Sequence, residues 1–354
     1  MNFHGGYHGK DKLKDFSVNI PTIEYDPKFK ALVMSNFDML LKYPELSGVE
    51  TINKMADSLQ YKPEQMILGN GATELIYLYA RTINIKQALI LEPTFTEYRR
   101  ALETHQVDIL KYPLNLENPE QLEVDKITDF INAQDCDLLV ICNPNNPTGH
   151  LYKIEDLEYI LKNVTVKQFK IFIDESFIDF VSTEYTEEYM VKMRKLIEMY
   201  PMFLLRSMTK TYAVPGLRIG YGIGNCQIVD QLYKYKEPWS LNTFALLSIP
   251  FFLDDLDAVK RVRTWSLTEN EFMAKELSEI SGIKLIAGKA NYHLIQIEKM
   301  KGTIFFDKLI EKGFYLRTCM DFIGLGEQYF RIALRSREEN ELLINAIRSV
   351  LEEA

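Results

Sequence analysis

A lysine, a serine and an arginine converge in the segment Ser207-Met-Thr-Lys210-Thr-Tyr-Ala-Val-Pro215-Gly216-Leu-Arg218-Ile-Gly220. The apolar run at 203–207 reads as a buried strand, so Lys210 falls on the loop at a strand's carboxyl end, where open α/β sheets gather their ligands. Taken alone, a lysine is a solvated surface residue. Beside other cations or out of water, its amine loses basicity and can form a Schiff base with an aldehyde. Two further segments end strands of the same expected sheet: Asn143-Pro144-Asn145-Asn146-Pro147-Thr148-Gly149 after 137–142, and Asp174-Glu175-Ser176-Phe177 after Lys170–Asp174. Asn-Pro and Pro-Thr-Gly are ordinary turn chemistry, and an Asp at a strand end can cap a helix. Three such segments on one sheet edge are hard to explain as three independent turns.

The elements that must position these residues follow from periodicity. Short apolar runs at 88–91, 137–142, Lys170–Asp174, 203–207 and Ile219–Gly224 alternate with helix-period stretches at 120–133, Ile154–Asn163 and 187–199. Strands alternating with helices predict a mostly parallel, doubly wound α/β sheet. After about residue 245 the texture changes to α+β: a long helix at 255–279, a strand at Tyr292–Ile297, a helix at 304–312, strands at 315–318 and 329–334, and a last helix at 337–351.

Composition bounds the partners. With 354 residues the chain is long enough for about two domains. Lys and Arg number 41 against 50 Asp and Glu, a net charge of -9, which excludes a protein that tracks nucleic-acid backbones and leaves room only for a local basic pocket. There is neither an apolar leader at 1–14 nor a membrane-length apolar run, so the expected compartment is the cytoplasm. Cys136, Cys142, Cys226 and Cys319 lie far apart without a C-x-x-C pair, the pattern of reduced thiols. No metal is expected, since His4 and His8 have no nearby third ligand. Gly220, Gly222 and Gly224 only loosely resemble a dinucleotide fingerprint.

The pattern S-x-T-K-x-Y-x-x-P-G-L-R-x-G-Y, with N-P-N-N-P-T-G and D-E-S-F upstream, resembles the pyridoxal-phosphate-dependent aminotransferase family of fold type I. The resemblance implies pyridoxal 5'-phosphate as cofactor. It assigns Lys210 to the covalent link and to proton movement at Cα, Asp174 to the pyridine nitrogen and Asn146 to the ring hydroxyl. Gly71, Ala72 and Thr73, at a helix start, would hold the phosphate together with Ser207 and Arg218, and Phe95 would stack on the ring. Tyr43 would reach the neighbouring subunit's cofactor phosphate, which implies a homodimer. The expected organisation is an N-terminal arm at 1–30 that packs with the small domain and carries substrate contacts, a large cofactor-binding domain at 31–245 and a small α+β domain at 246–354.

Four features bear on the branch of the family: His4-Gly5-Gly6 followed by Asp15-Phe-Ser-Val-Asn19; Phe177 where many relatives carry Tyr; Pro238-Trp239-Ser240-Leu-Asn242; and Arg317 fourteen residues before Arg331, on strands read as adjacent. Together they resemble the decarboxylases of L-threonine O-3-phosphate, relatives of the histidinol-phosphate aminotransferases. That resemblance implies Arg331 at the substrate carboxylate, and His4, Gly5, Gly6, Asn19 and Arg317 around a small phosphorylated amino acid. The reaction would be loss of CO2 as part of cobalamin biosynthesis. L-serine O-phosphate is the alternative substrate, because Asn19 is followed by Ile20-Pro21-Thr22 rather than by the branch's usual loop, and a single methyl discriminates by only ~1 to 3 kcal/mol. Two other readings stand beside it: a histidinol-phosphate aminotransferase using 2-oxoglutarate, and a non-catalytic protein of the same fold.

Overall fold

The computed structural model describes residues 5–7, 9, 12–24, 26–46, 48–117 and 121–353. Thirteen strands occur among them: β1 (Lys14–Asp15), β2 (Met66–Asn70), β3 (Gln87–Glu92), β4 (Asp108–Pro113), β5 (Leu138–Cys142), β6 (Lys170–Asp174), β7 (Met202–Ser207), β8 (Ile219–Gly224), β9 (Ile283–Ile286), β10 (Tyr292–Ile297), β11 (Phe314–Tyr315), β12 (Arg317–Thr318) and β13 (Tyr329–Ala333).

Seven of them form a sheet in the order β2-β8-β7-β6-β5-β3-β4. Only β8 runs against its neighbours; every other pairing in the sheet is parallel. Strands β5, β7 and β8 are buried along their whole length, as a sheet covered on both faces requires. Side chains part by strand alternation. Leu139, Ile141, Ile171, Ile173 and Leu204 join one apolar cluster, with Met55 of helix Val49–Leu59 and Leu157 of helix Ile154–Asn163. Leu138, Val140, Phe172, Phe203 and Leu205 join the other, with Leu75 and Tyr79 of helix Ala72–Thr82 and Leu232 of helix Cys226–Tyr235. The expected doubly wound α/β arrangement is therefore present.

The second sheet is antiparallel, in the order β12-β13-β10-β9. Helices Ala258–Ser278, Gly302–Glu311 and Arg337–Glu352 pack against it around Met273, Leu277, Phe305, Phe330, Leu343 and Ile347. Phe16 lies fully inside the same cluster, and β1 pairs in parallel with β11, so residues 14–16 are built into this second layer.

Several elements depart from the sequence reading. Strands β1, β2, β4 and β9 were not expected; β4 and β9 are only partly buried, and their mixed polarity hides the strand signal. The strand expected at 315–318 is split in two. Residues Phe314–Tyr315 serve β1 and Arg317–Thr318 serve β13, and buried Leu316 marks the change of partner. The long helix expected at 255–279 is preceded by a separate apolar helix, Thr243–Asp254, whose cap is the Asn242 side chain accepting the Ala245 N–H at 2.9 Å.

Candidate active site

Strand β7 ends at Ser207 and a single helical turn, Met208–Thr211, carries Lys210 to the carboxyl edge of the sheet. Hydroxyls pin that turn on both sides of the lysine. Thr209 donates to the Ile219 carbonyl at 3.3 Å, and Thr211 donates to Asp179 at 2.7 Å. The Lys210 amine lies 5.8 Å from the Phe177 ring centroid. It is lowered from 10.5 to about 8, first by burial and then by the Arg331 and Arg218 charges, with Asp174 opposing them. At about 8 the amine is still mostly protonated near neutral pH, but its neutral, nucleophilic fraction is far larger than that of an ordinary lysine, as attack on an aldehyde requires.

Asp174 closes β6. Its Oδ1 accepts the Ser176 backbone N–H at 2.8 Å and its Oδ2 accepts the Tyr98 hydroxyl at 2.6 Å. Burial raises the carboxyl above its ordinary value, while the Ser176 and Tyr98 donors and the Lys210 charge pull the other way. A carboxylate wrapped in neutral donors at the floor of a cleft is suited to pairing with a protonated ring nitrogen.

The edge of β2 supplies a third part. Gly71, at φ +75°, turns the chain into helix Ala72–Thr82, and its N–H donates to the Arg218 carbonyl at 3.0 Å. A methyl on Gly71 would lie 2.3 Å from Arg218 Nη2, and one on Gly220 would lie 2.3 Å from the Ala72 nitrogen. The absence of both side chains lets the guanidinium and the helix N-terminus close on the same space. First-turn N–H groups, the Ser207 hydroxyl and a guanidinium form a donor set for a phosphate.

Arg317 and Arg331 form the opposite wall. They are register partners across β12 and β13, at 5% and 6% exposure. Arg331 donates through Nη1 to Asn146 Oδ1 and through Nη2 to the Ser17 carbonyl, both at 2.6 Å, while its buried Nε has no partner. Burial lowers Arg331 to about 10. Arg317 pairs with Asp321 at 2.7 Å and lies 5.2 Å from the Phe322 ring centroid. Asn19 is buried with its Oδ1 unpartnered. Two orphaned polar atoms on one wall are places for ligand atoms to bind.

A cavity of about 510 Å³ joins these parts, bringing Lys210, Asp174, Asn146, Ser207, Arg218 and Phe95 together with Ala72, Thr73, Gly5, Asn19, Arg317 and Arg331. Gly71 sits just behind its wall, against Arg218. Gly6 is held at the arm, its N–H donating to Ser17 Oγ at 2.7 Å. His4 lies outside the described residues. Tyr43 is not at the cavity; it is 83% exposed, with its ring 5.1 Å from that of Trp239. Sequence reasoning missed Tyr98, Ser176, Ser17 and Phe322. The positions of Tyr98 in Phe95-Thr-Glu-Tyr98 and of Asp321 four residues after Arg317 were the available signals.

Comparison with known proteins agrees with this geometry. The family described as aminotransferase class I and II matches residues 15–347, and the chain belongs to it. It is 31% identical to the threonine-phosphate decarboxylase of Salmonella typhimurium, over 96% of this chain and 92% of that one. It is 29% identical to the L-serine phosphate decarboxylase of Sulfurospirillum multivorans, over 97% and 92%. The crystal structure of the histidinol-phosphate aminotransferase from Clostridium acetobutylicum superposes with a TM-score of 0.86 at 28% identity, covering 96% of this chain and 99% of that one. The chain is accordingly a pyridoxal-phosphate-dependent protein. Its residues fit that group: a lysine of lowered basicity, a buried carboxylate, and a phosphate cradle that a Cβ at Gly71 would fill.

Proposed function

We propose that the protein is a decarboxylase of an O-phospho-L-amino acid, with L-threonine O-3-phosphate as the first candidate, (R)-1-aminopropan-2-yl phosphate and CO2 as products, and cobalamin biosynthesis as the setting. L-serine O-phosphate is the second candidate substrate. The observation that carries the proposal is the pair Arg317 and Arg331, buried side by side on the wall of the cavity that holds Lys210. Two guanidiniums on one wall match a substrate that carries both a carboxylate and a phosphate.

In this reading Lys210, Asp174, Asn146, Ser207, Arg218 and the Gly71–Thr73 turn hold the cofactor, with Phe95 against its ring. When bound, pyridoxal phosphate supplies an electron-accepting ring for the pair released as the Cα–carboxylate bond breaks. Arg331 would grip the carboxylate and Arg317, with Gly5, Gly6 and Asn19, the phosphate; held at both ends, the substrate would have its Cα fixed in one orientation, which selects the bond that breaks. Lys210, with its amine near 8, returns a proton to Cα. Phe177 offers no hydroxyl toward the cofactor, which fits a site without the tyrosine that many transaminating relatives carry there.

A homodimer and a cytoplasmic location are part of the same proposal. Met34, Phe37, Leu40, Leu41, Tyr43 and Leu46 are all exposed apolar side chains within one short stretch, a surface suited to a second copy of the chain and to Tyr43 entering its site. Among the described residues no helix is long and apolar enough to cross a membrane, and the four cysteines are unpaired.

The test supplies O-phospho-L-threonine, O-phospho-L-serine, or histidinol phosphate with 2-oxoglutarate, and follows CO2 and glutamate. CO2 release from a phospho-amino acid without glutamate is expected. Glutamate from histidinol phosphate without CO2 from either phospho-amino acid would replace this reading by an aminotransferase.

A further inference from the structure

Tyr98 has no part in the chemistry above, yet its hydroxyl is in contact with Asp174 Oδ2 at 2.6 Å, deep in the protein. It comes from the first turn of helix Glu97–Glu103, and its ring is held edge-on to Phe95 at 5.6 Å between centroids and tilted against Phe172 at 6.1 Å. Phe95 is the residue assigned to the cofactor ring's face. One short stretch thus presents both the stacking ring and the donor to the carboxylate behind it. Ser176 holds the other carboxylate oxygen through its backbone N–H, so the orientation of Asp174 is fixed from two sides.

The other polar neighbours of Asp174 are few. Cys142 is its register partner on β5, and its thiol, like the Tyr98 hydroxyl, is kept neutral by burial. Lys210 is the cation facing it. In so dry a place the carboxylate's charge depends on donors that carry no charge themselves.

We propose that Tyr98 is a positioning residue: by donating to Asp174 Oδ2 it aims the carboxylate and keeps it an anion against the cofactor's ring nitrogen. The inference rests on the pyridoxal-phosphate reading of Lys210 and Asp174, and not on which substrate the enzyme takes.

The test uses the reconstituted holoprotein without substrate, so its outcome does not depend on decarboxylation or amino transfer. Tyr98→Phe keeps the ring and its packing and removes only the hydroxyl. With Asp174 less ionised, the ring nitrogen holds its proton less firmly and no longer repels a proton on the lysine–cofactor link. The pH midpoint of the visible absorption band should move upward by about one unit. The cofactor's dissociation constant should rise about tenfold. In Asp174→Asn, adding Tyr98→Phe should cause no further loss of cofactor affinity, because the two act through one contact. Tyr98→His, which restores an N–H donor, is the second variant, expected to return the midpoint toward wild type, and it serves should Tyr98→Phe fail to fold. An unmoved pH midpoint with unchanged cofactor affinity, or fully additive losses in the double variant, would overturn the proposal.

Discussion

Arg317 and Arg331 stand directly opposite one another across β12 and β13, two like charges in a cross-strand pair. Such pairs destabilise a sheet. Each is compensated elsewhere, Arg317 by Asp321 and Arg331 by Asn146 and the Ser17 carbonyl, and the surplus positive field is left facing the cavity. O-Phospho-L-threonine should therefore raise the melting temperature of the holoprotein more than L-threonine does at equal concentration. Equal shifts would remove the double anion anchor.

Replacing either arginine separates their roles. Arg331→Lys loses the planar fork that can meet a carboxylate with two bonds, and kcat/KM should fall about 100-fold. Arg317→Lys should act mainly through KM for the phosphorylated substrate and spare the unphosphorylated amino acid. Steady-state kinetics on both substrates reads the difference.

Lys210→Ala should abolish turnover and the visible absorption of covalently held cofactor, while Asp174 and the phosphate cradle still permit weak non-covalent binding. Persistent turnover would exclude the assigned role.

The lowered basicity of Lys210 also affects stability. Between about 8 and 10.5 the amine is neutral in the folded chain and still protonated in the unfolded one. The unfolded state then binds the extra proton, so this group's penalty is full below 8 and is relieved as pH rises toward 10.5. Urea midpoints of the cofactor-free protein should rise over that window relative to Lys210→Met. A flat difference between the two proteins would contradict the buried amine.

The Glu175–Arg206 pair lies beneath the catalytic edge, with side chains 0% and 6% exposed and 2.6 Å apart. Arg206→Leu leaves a buried carboxylate without its cation, and the unfolding free energy should drop by about 3 to 5 kcal/mol. Replacing both residues by apolar ones should cost much less, as chemical denaturation would show.

Much of this site was legible because its parts end strands. Ser207, Asp174 and Asn146 follow apolar runs long enough to announce buried strands, and the sheet rule then places them on one edge. Arg317 and Arg331 were read correctly as neighbours, although their strand was not. The two-residue strand Arg317–Thr318 carries no periodicity of its own and exists because β13 offers it a partner. Tyr98 was hidden for a different reason. Its contact with Asp174 joins residues 76 positions apart, and a tyrosine facing a packed core looks the same in sequence as one that donates to a carboxylate. The arm carrying Gly5 and Gly6 could be read by its motif but not by periodicity; it is held by single bonds such as Tyr7 N–H to Asp15 Oδ2 at 2.9 Å.

The reversed direction of β8 has a consequence for how this chain can vary. Because β7 ends and β8 begins at the same edge, with Ser207 opposite Gly220, residues 208–218 form an excursion clamped by antiparallel register at its root. Lys210 and Arg218 both lie on it, and a second clamp holds Arg218 to Gly71. An insertion or deletion within 208–218 could not be absorbed by sliding either strand, since a one-residue slip would turn the side chains of β8 to the wrong face. The length of this loop is therefore as constrained as the identity of the lysine it carries, whereas the exposed loop at 255–257, which anchors nothing in the cavity, is free to lengthen.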